Sequence, residues 1–334
     1  MSSTAITDSA AQATAPRSTS ALQYLETLHL NYQLKPAPGP SFKILPCEQD
    51  CYLLSDELNH RVLKFDPFGE LLWQTGGKGG DPGNFWYPRG IALFEDEIYV
   101  CDSWNHRIQV LNIQGKPVRA FGGYGSEPNQ INECSDIEVD EQGRLWIVDT
   151  GNHCLKVISP RGKIEAVIGR RLSIYEERAL IQGAWQGSAE GFTPGFSYPN
   201  RILANYSDAF CVDDRGNQRI CLVTTSGSIL AAIDSKQNQV TRYTKAVSSF
   251  ERIASYPIAR LRMQLLEVID WNGLLWQSVP ASRFSEVNSN LVHMGGNTQL
   301  LIYYYNWTTQ NLIKYALVLP ANPLDSHPPG ESVS

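Results

Sequence analysis

The sequence predicts an all-β fold: a six-bladed β-propeller of four-stranded antiparallel blades, with the last two blades degenerate. Three observations predict it. An Asp, an Asn and a Gly recur at one fixed spacing in Asp56/Asn59/Gly69, Asp102/Asn105/Gly115, Asp149/Asn152/Gly162 and Asp214/Asn217/Gly227. The Asn positions step by 46, 47 and 65 residues, near the 40–50-residue period of propeller blades. Short β-branched or aromatic runs flank every set, as strands do.

Each unit reads as four strands. A first strand leads in, as FKILP, GIALF, DIEVD and RILAN. A second runs up to the Asp, as CYLLS, IYVC, LWIV and FCVD, and a third follows the Asn, as RVLKF, RIQVL, CLKVI and RICLV. Asp accepts backbone N–H bonds two residues on and Asn tolerates left-handed backbone, so the pair suits the tight turn between them. The Gly ten residues after the Asn falls at the next turn, where positive φ costs glycine nothing. A fourth strand then follows, as LLWQT, VRAF, EAVI and ILAAI.

Beyond residue 235 the pattern fades. Residues 300–318 still read as the same hairpin, with Asn306, Thr309 and Gln310 in place of Asp, Asn and His. One degenerate blade fits between, near 250–286, with Asp270–Trp276 as its first hairpin. The segment 21–30 is expected to add an outer strand to the last blade and so remove an exposed edge. The expected domains are a disordered Ser/Thr/Ala-rich tail (1–20), a single propeller (21–320) with an insertion at about 170–197, and a flexible tail (321–334).

The motif Asp102-Ser-Trp-Asn105-His106-Arg107-Ile108-Gln109-Val110, with Tyr87-Pro88-Arg89-Gly90-Ile91, closely resembles the NHL repeat. The resemblance covers about residues 41–235 and implies a propeller, usually of six blades. It says little about function, because that fold hosts both binding domains and enzymes.

Composition narrows the function classes. The formal net charge is -6 and the pI about 5.6, which disfavours duplex DNA and anionic membranes. No apolar run reaches the roughly 18 residues of a membrane helix. The first twenty residues lack the apolar segment of a signal peptide. Cys101, Cys154 and Cys211 lie in strands as small apolar residues, as suits a reducing cytosol, and a cytoplasmic location is expected. Cys47 and Cys51 form a lone CxxxC, read as strand-flanking rather than as half a metal site. The sequons at Asn205 and Asn306 are read as chance.

In an antiparallel meander the Asp–Asn turns, the lead-in segments and the insertion share one face. Trp86, Tyr87, Arg89, Trp104, Arg107, Tyr198 and Arg201 would give that face an Arg/aromatic binding rim. Arg61, Arg107 and Arg219 recur beside the Asn and also fit bridging between blades. The leading expectation is a non-catalytic scaffold that binds a protein or peptide, with no catalytic residue and no cofactor.

Two alternatives stay open. His60, His106 and His153 occupy one repeat position, and three imidazoles are a Zn ligand set. Amidating lyases acting on peptidyl-hydroxyglycine use a similar propeller with histidine ligands, although their catalytic signature has no match here. A lactonase-like site would instead hold Ca through inward Glu, Asn and Asp, with Glu133, Asp136 and Asn200 as candidates. Single-stranded RNA is the second alternative, disfavoured by the acidic balance. No phosphate loop, nucleophile elbow or CxxC pair is present.

Overall fold

The structure is a computed structural model of the 334-residue chain. It describes residues 22–30, 42–169, 195–206, 208–236, 239–242, 258–262, 265–269, 275–280, 290–293, 299–306 and 311–318. The expected tails (1–20 and 321–334), insertion residues 170–194 and the turn at 307–310 lie outside these.

The strands follow the repeat. After β1 (Leu22–His29), the first repeat forms β2 (Phe42–Cys47), β3 (Cys51–Asp56), β4 (Arg61–Phe65) and β5 (Leu71–Gly76). The second forms β6 (Pro88–Phe94), β7 (Glu97–Asp102), β8 (Arg107–Asn112) and β9 (Pro117–Gly122). The third forms β10 (Cys134–Val139), β11 (Leu145–Asp149), β12 (Cys154–Ile158) and β13 (Ile164–Ile168). The fourth forms β14 (Arg201–Tyr206), β15 (Ala209–Asp214), β16 (Arg219–Thr224) and β17 (Ile229–Asp234), extended by β18 (Val240–Arg242). Then come β19 (Ile258–Arg262), β20 (Leu265–Ile269) and β21 (Leu275–Pro280), and finally β22 (Asn290–His293), β23 (Gln299–Asn306) and β24 (Asn311–Val318).

Among the described residues these strands make six sheets, and neighbouring strands pair antiparallel. The fold is a β-propeller. Two details refine the expectation. Residues 270–274 of the expected hairpin lie outside the described residues, but β20 and β21 on either side of them pair, and β19 pairs with β20 ahead of them, so this connection comes second in its sheet and not first. The N-terminal strand β1 does close the last sheet, pairing along β24 from Leu22↔Leu317 to His29↔Asn311. Chain start and chain end are thereby stitched into one sheet.

The middle strands are continuous apolar runs because each is covered on both faces. All six residues of β3 are buried, as are all five of β11. One cluster joins Leu53 and Val62 of the first repeat to Ile91, Val100 and Leu111 of the second. Another joins Tyr99 and Val110 to Ile137, Leu145 and Ile147, and a third joins Trp146 and Val157 to Phe210 and Val212. These three clusters lie between sheets, while a further one, including Cys211, Leu222 and Ile233, gathers on the fourth repeat's own sheet. Outer strand β5 alternates half-buried and exposed residues, as an edge does. The turn glycines Gly69, Gly115, Gly162 and Gly227 adopt φ of 87°, 78°, 85° and 92°, as the turn requires.

First strands β2, β6, β10 and β14 adjoin in sequence, and β22 lies beside both β14 and β2. β6 and β10 come close at Gly90, where a Cβ would stand 2.6 Å from the Asp136 Cα. Past this side-chain-free position Lys43 of β2 reaches β10, donating to Asp136 Oδ1 (2.7 Å), the Ile137 carbonyl (2.9 Å) and Glu138 Oε1 (2.8 Å). Burial disfavours the ammonium, but Asp136 and Glu138 outweigh it and hold the Lys43 pKa above its ordinary value. No helix among the described residues is long and apolar enough to cross a membrane.

Deleting residues 1–30 leaves β24 an unpaired edge. The expected outcome is a thermal midpoint lower by about 5 °C or more, with increased aggregation, read by calorimetry and light scattering. An unchanged midpoint would show that the closure contributes nothing.

Candidate binding face

Each Asp ends a second strand and is followed by a three-residue 3-10 turn in the second, third and fourth repeats. The residue closing the turn is left-handed in all four: His60 at φ 57°, His106 at 53°, His153 at 58° and Gln218 at 53°. The Asn three residues on donates its side-chain N–H to the Asp, at 2.8 Å for Asn59, 2.8 Å for Asn105, 2.7 Å for Asn152 and 2.9 Å for Asn217. Five residues on, Arg Nε donates to that carboxylate from Arg61 (3.0 Å), Arg107 (2.8 Å) and Arg219 (2.7 Å). The third repeat has Cys154 there, and Lys156 supplies the cation instead, 2.9 Å from Asp149. All four Asp side chains are 0% exposed. Burial pushes the Asp102 carboxyl above its ordinary range despite its donors.

In the second, third and fourth repeats the lead-in to the blade is clipped to this turn and to the blade before it. The backbone N–H groups of Trp86, Asn132 and Ser197 donate to Oδ1 of their own repeat's Asp102 (2.6 Å), Asp149 (2.8 Å) and Asp214 (2.7 Å). The next N–H, of Tyr87, Glu133 or Tyr198, donates to Nδ1 of the preceding repeat's His60 (3.1 Å), His106 (3.2 Å) or His153 (3.1 Å). Tyr87, Glu133 and Tyr198 adopt φ of 55°, 56° and 44°. This conformation turns two successive N–H groups towards two different blades. A buried residue, Phe85, Ile131 or Phe196, seats each clip.

This geometry assigns the repeated histidines. Nδ1 accepts a backbone N–H, so the imidazole is neutral with its proton on Nε2. Each ring also packs on a tyrosine: His60 on Tyr87 (4.8 Å between centroids), His106 on Tyr124 (4.8 Å) and His153 on Tyr198 (4.2 Å). The histidines are not brought together, since each serves its own junction. Among the described residues no group of three His, Cys, Asp or Glu side chains is placed to hold a metal ion. The Ca candidates are also dispersed in role. Asp136 accepts from Lys43 and from the Ile202 N–H, Asn200 binds Asp213, and Glu133 is exposed.

The rim candidates divide. Arg107 is a strut: its guanidinium binds Asp102 and the carbonyls of Gly80, Asp81 and Asn84. Arg89 pairs with Glu57 at 2.8 Å, tying the first turn to β6. Arg201 faces Asp213 across the β14–β15 ladder. The aromatic candidates do assemble, with Trp104 4.9 Å from Tyr87 and 5.6 Å from Trp86, and Lys78 Nζ 5.2 Å over the Trp86 ring. Trp104 and Leu58, at the same turn position in neighbouring repeats, are each 47% exposed, and Tyr198 is 51% exposed. Leu58, Lys78 and Tyr124 were not expected here. Leu58 is visible by superposing the turns, whereas Lys78 and Tyr124 hold one position of the Gly-Gly-x-Gly connections at which the residue type does not repeat.

A family model described as NHL repeat matches residues 85–111 and 132–158, which run from each clip to the third strand of its blade. The chain is 43% identical to RING finger protein nhl-1 of Caenorhabditis elegans over 63 residues, 19% of this chain and 6% of that protein. It is 32% identical to NHL repeat-containing protein 2 of Gallus gallus over 94 residues, 25% of this chain and 13% of that one. With NHL repeat-containing protein 3 of Mus musculus it shares 26% identity over 180 residues, 50% of this chain and 49% of the other. The chain therefore spans half or less of the length of these relatives. Among solved structures, virginiamycin B lyase from Staphylococcus aureus superposes with a TM-score of 0.53 at 13% identity, covering 85% of this chain and 83% of that one. That likeness is one of fold.

Two outcomes test the clips. Asp214→Ala leaves the Arg219 guanidinium buried without its carboxylate, and the expected loss is about 3–5 kcal/mol by chemical denaturation. His60 is held below its ordinary pKa by burial and then by Lys78. The unfolded chain then binds the proton more readily, so stability is full above about pH 6.5 and declines as pH falls through that value towards the lower folded one. His60→Gln keeps an acceptor but no titration, and should flatten that stretch of the stability profile. Identical profiles would contradict the assignment.

Proposed function

We propose that this NHL-repeat β-propeller is a non-catalytic scaffold that binds a protein or peptide on the face formed by its Asp–Asn turns and clips. The observation that carries the reading is the packed cluster of Trp86, Tyr87 and Trp104, with Trp104 and Leu58, at the same turn position of the preceding repeat, each 47% exposed. Exposed aromatic and aliphatic side chains on a rigid support are the composition of interaction hot spots. Rigidity comes from beneath, because the clip bonds hold Trp86 and Tyr87 by their own backbone. Lys78 adds a cation at the cluster's edge, favouring a partner with an acidic group beside an apolar one.

The groups a metal-dependent lyase or lactonase would recruit are engaged in the scaffold, which is why the binding reading is preferred. A reducing, cytoplasmic setting accords with seven free cysteines.

The test compares the full chain with Trp104→Ala. The mutant should lose partner affinity by about tenfold or more, with its thermal midpoint unchanged, because the side chain is half exposed. Affinity for single-stranded RNA that falls steeply with salt would favour the RNA reading. Stoichiometric Zn or Ca together with turnover of a small substrate would overturn the scaffold.

A further inference from the structure

The β2–β3 hairpin tip lies on the face opposite the clips, and it carries a CxxxC motif that the proposed function does not use. Cys47 ends β2, Cys51 begins β3, and the two are direct register partners. Opposed residues of an antiparallel ladder have Cα atoms about 4.5–5.5 Å apart and side chains on one side of the sheet. A disulfide spans Cα separations of about 4.4–6.8 Å. The connecting residues Glu48, Gln49 and Asp50 are exposed and Cys47 is only half-buried, so a small reagent reaches this pair. The neighbouring thiols Cys101 and Cys134, and likewise Cys211 and Cys221, are 0% exposed.

We infer that Cys47 and Cys51 form a redox-active dithiol that a low-molecular-weight disulfide converts into an intramolecular disulfide stapling the hairpin tip. The Cys47 thiolate attacks one sulfur of the small disulfide, whose S–S bond breaks and releases one thiolate, which takes up a proton. The Cys51 thiolate then attacks Cys47 Sγ of the mixed disulfide and expels the second small thiol. Two protein thiols are oxidised and one small disulfide is reduced to two thiols. Burial, opposed by Lys64 and reinforced by Cys51, pushes the Cys47 thiol up to about 11. Thiolate is therefore scarce at neutral pH, and exchange should accelerate about tenfold per pH unit towards that value. The site is a slow staple that records lasting exposure to oxidant, not a fast sensor.

The test incubates the reduced full chain with glutathione disulfide at pH 8 under native conditions, alkylates remaining thiols and maps the peptides by mass. The expected result is a peptide spanning residues 47–51 that is lighter by about 2 Da and unalkylated, formed faster as pH rises. Cys51→Ser should stop at a glutathione adduct on Cys47. Alkylation of both residues after oxidation, or a wild-type product that stops at the glutathione adduct, would overturn the proposal.

Discussion

A fully buried aspartate, repeated four times, is the constraint on which the rest of this structure depends. A lone carboxylate without water is costly, so each must be met by donors. The donors come from three levels of the chain. Asn supplies one from within the turn, Arg or Lys one from the next strand, and in the last three of these repeats the lead-in backbone supplies another. Satisfying the charge therefore fixes the turn, the third strand and the path by which the chain enters the blade. The neighbouring blade joins through histidine, whose Nδ1 accepts the very next N–H.

That arrangement consumes the chemistry that first suggests catalysis. Asp, Asn, Arg and His recur at matched heights because they build a joint between blades. Function falls to the residues the joint displays without using their side chains. Trp86 and Tyr87 serve the clip through their backbone N–H groups and carbonyls, and their rings pack at a tilt against Trp104, the Tyr87 ring also against His60. One structural device thus supplies both rigidity and an aromatic surface. At the equivalent place the third repeat has Asn132 and Glu133, so the surface is uneven around the ring.

What was legible in the sequence follows the range of the interactions. The Asp–Asn bonds span three residues, and the hairpins they make were readable as a fixed spacing. The clips were not, because Tyr87 and Glu133 meet their histidines 27 residues away and Tyr198 meets its own 45 away, across the insertion. The acceptors are the repeated Asp and His, but no residue type marks the donors, since these are backbone N–H groups. Lys43 and Asp136 lie 93 residues apart, and nothing local pairs them. The closing strand was readable because a chain that leaves an edge on its last sheet needs a strand from elsewhere. In the fifth sheet the sequence marks a hairpin but not its place in the order, because the connection between β20 and β21 reads Asp270-Trp-Asn-Gly273 and lacks the Asp-x-x-Asn spacing that identifies the second-to-third-strand turn in the other repeats.

The most direct measurement is amide hydrogen exchange at the lead-in segments. Trp86, Tyr87, Asn132, Glu133, Ser197 and Tyr198 lie outside the strands, where backbone N–H groups ordinarily exchange freely. If each donates to a buried aspartate or to the preceding histidine, these six amides exchange far more slowly than neighbouring loop amides, near the rates of the adjoining strands. Exchange at free-loop rates would contradict the clips, and with them the account of how the blades are joined and the aromatic surface held.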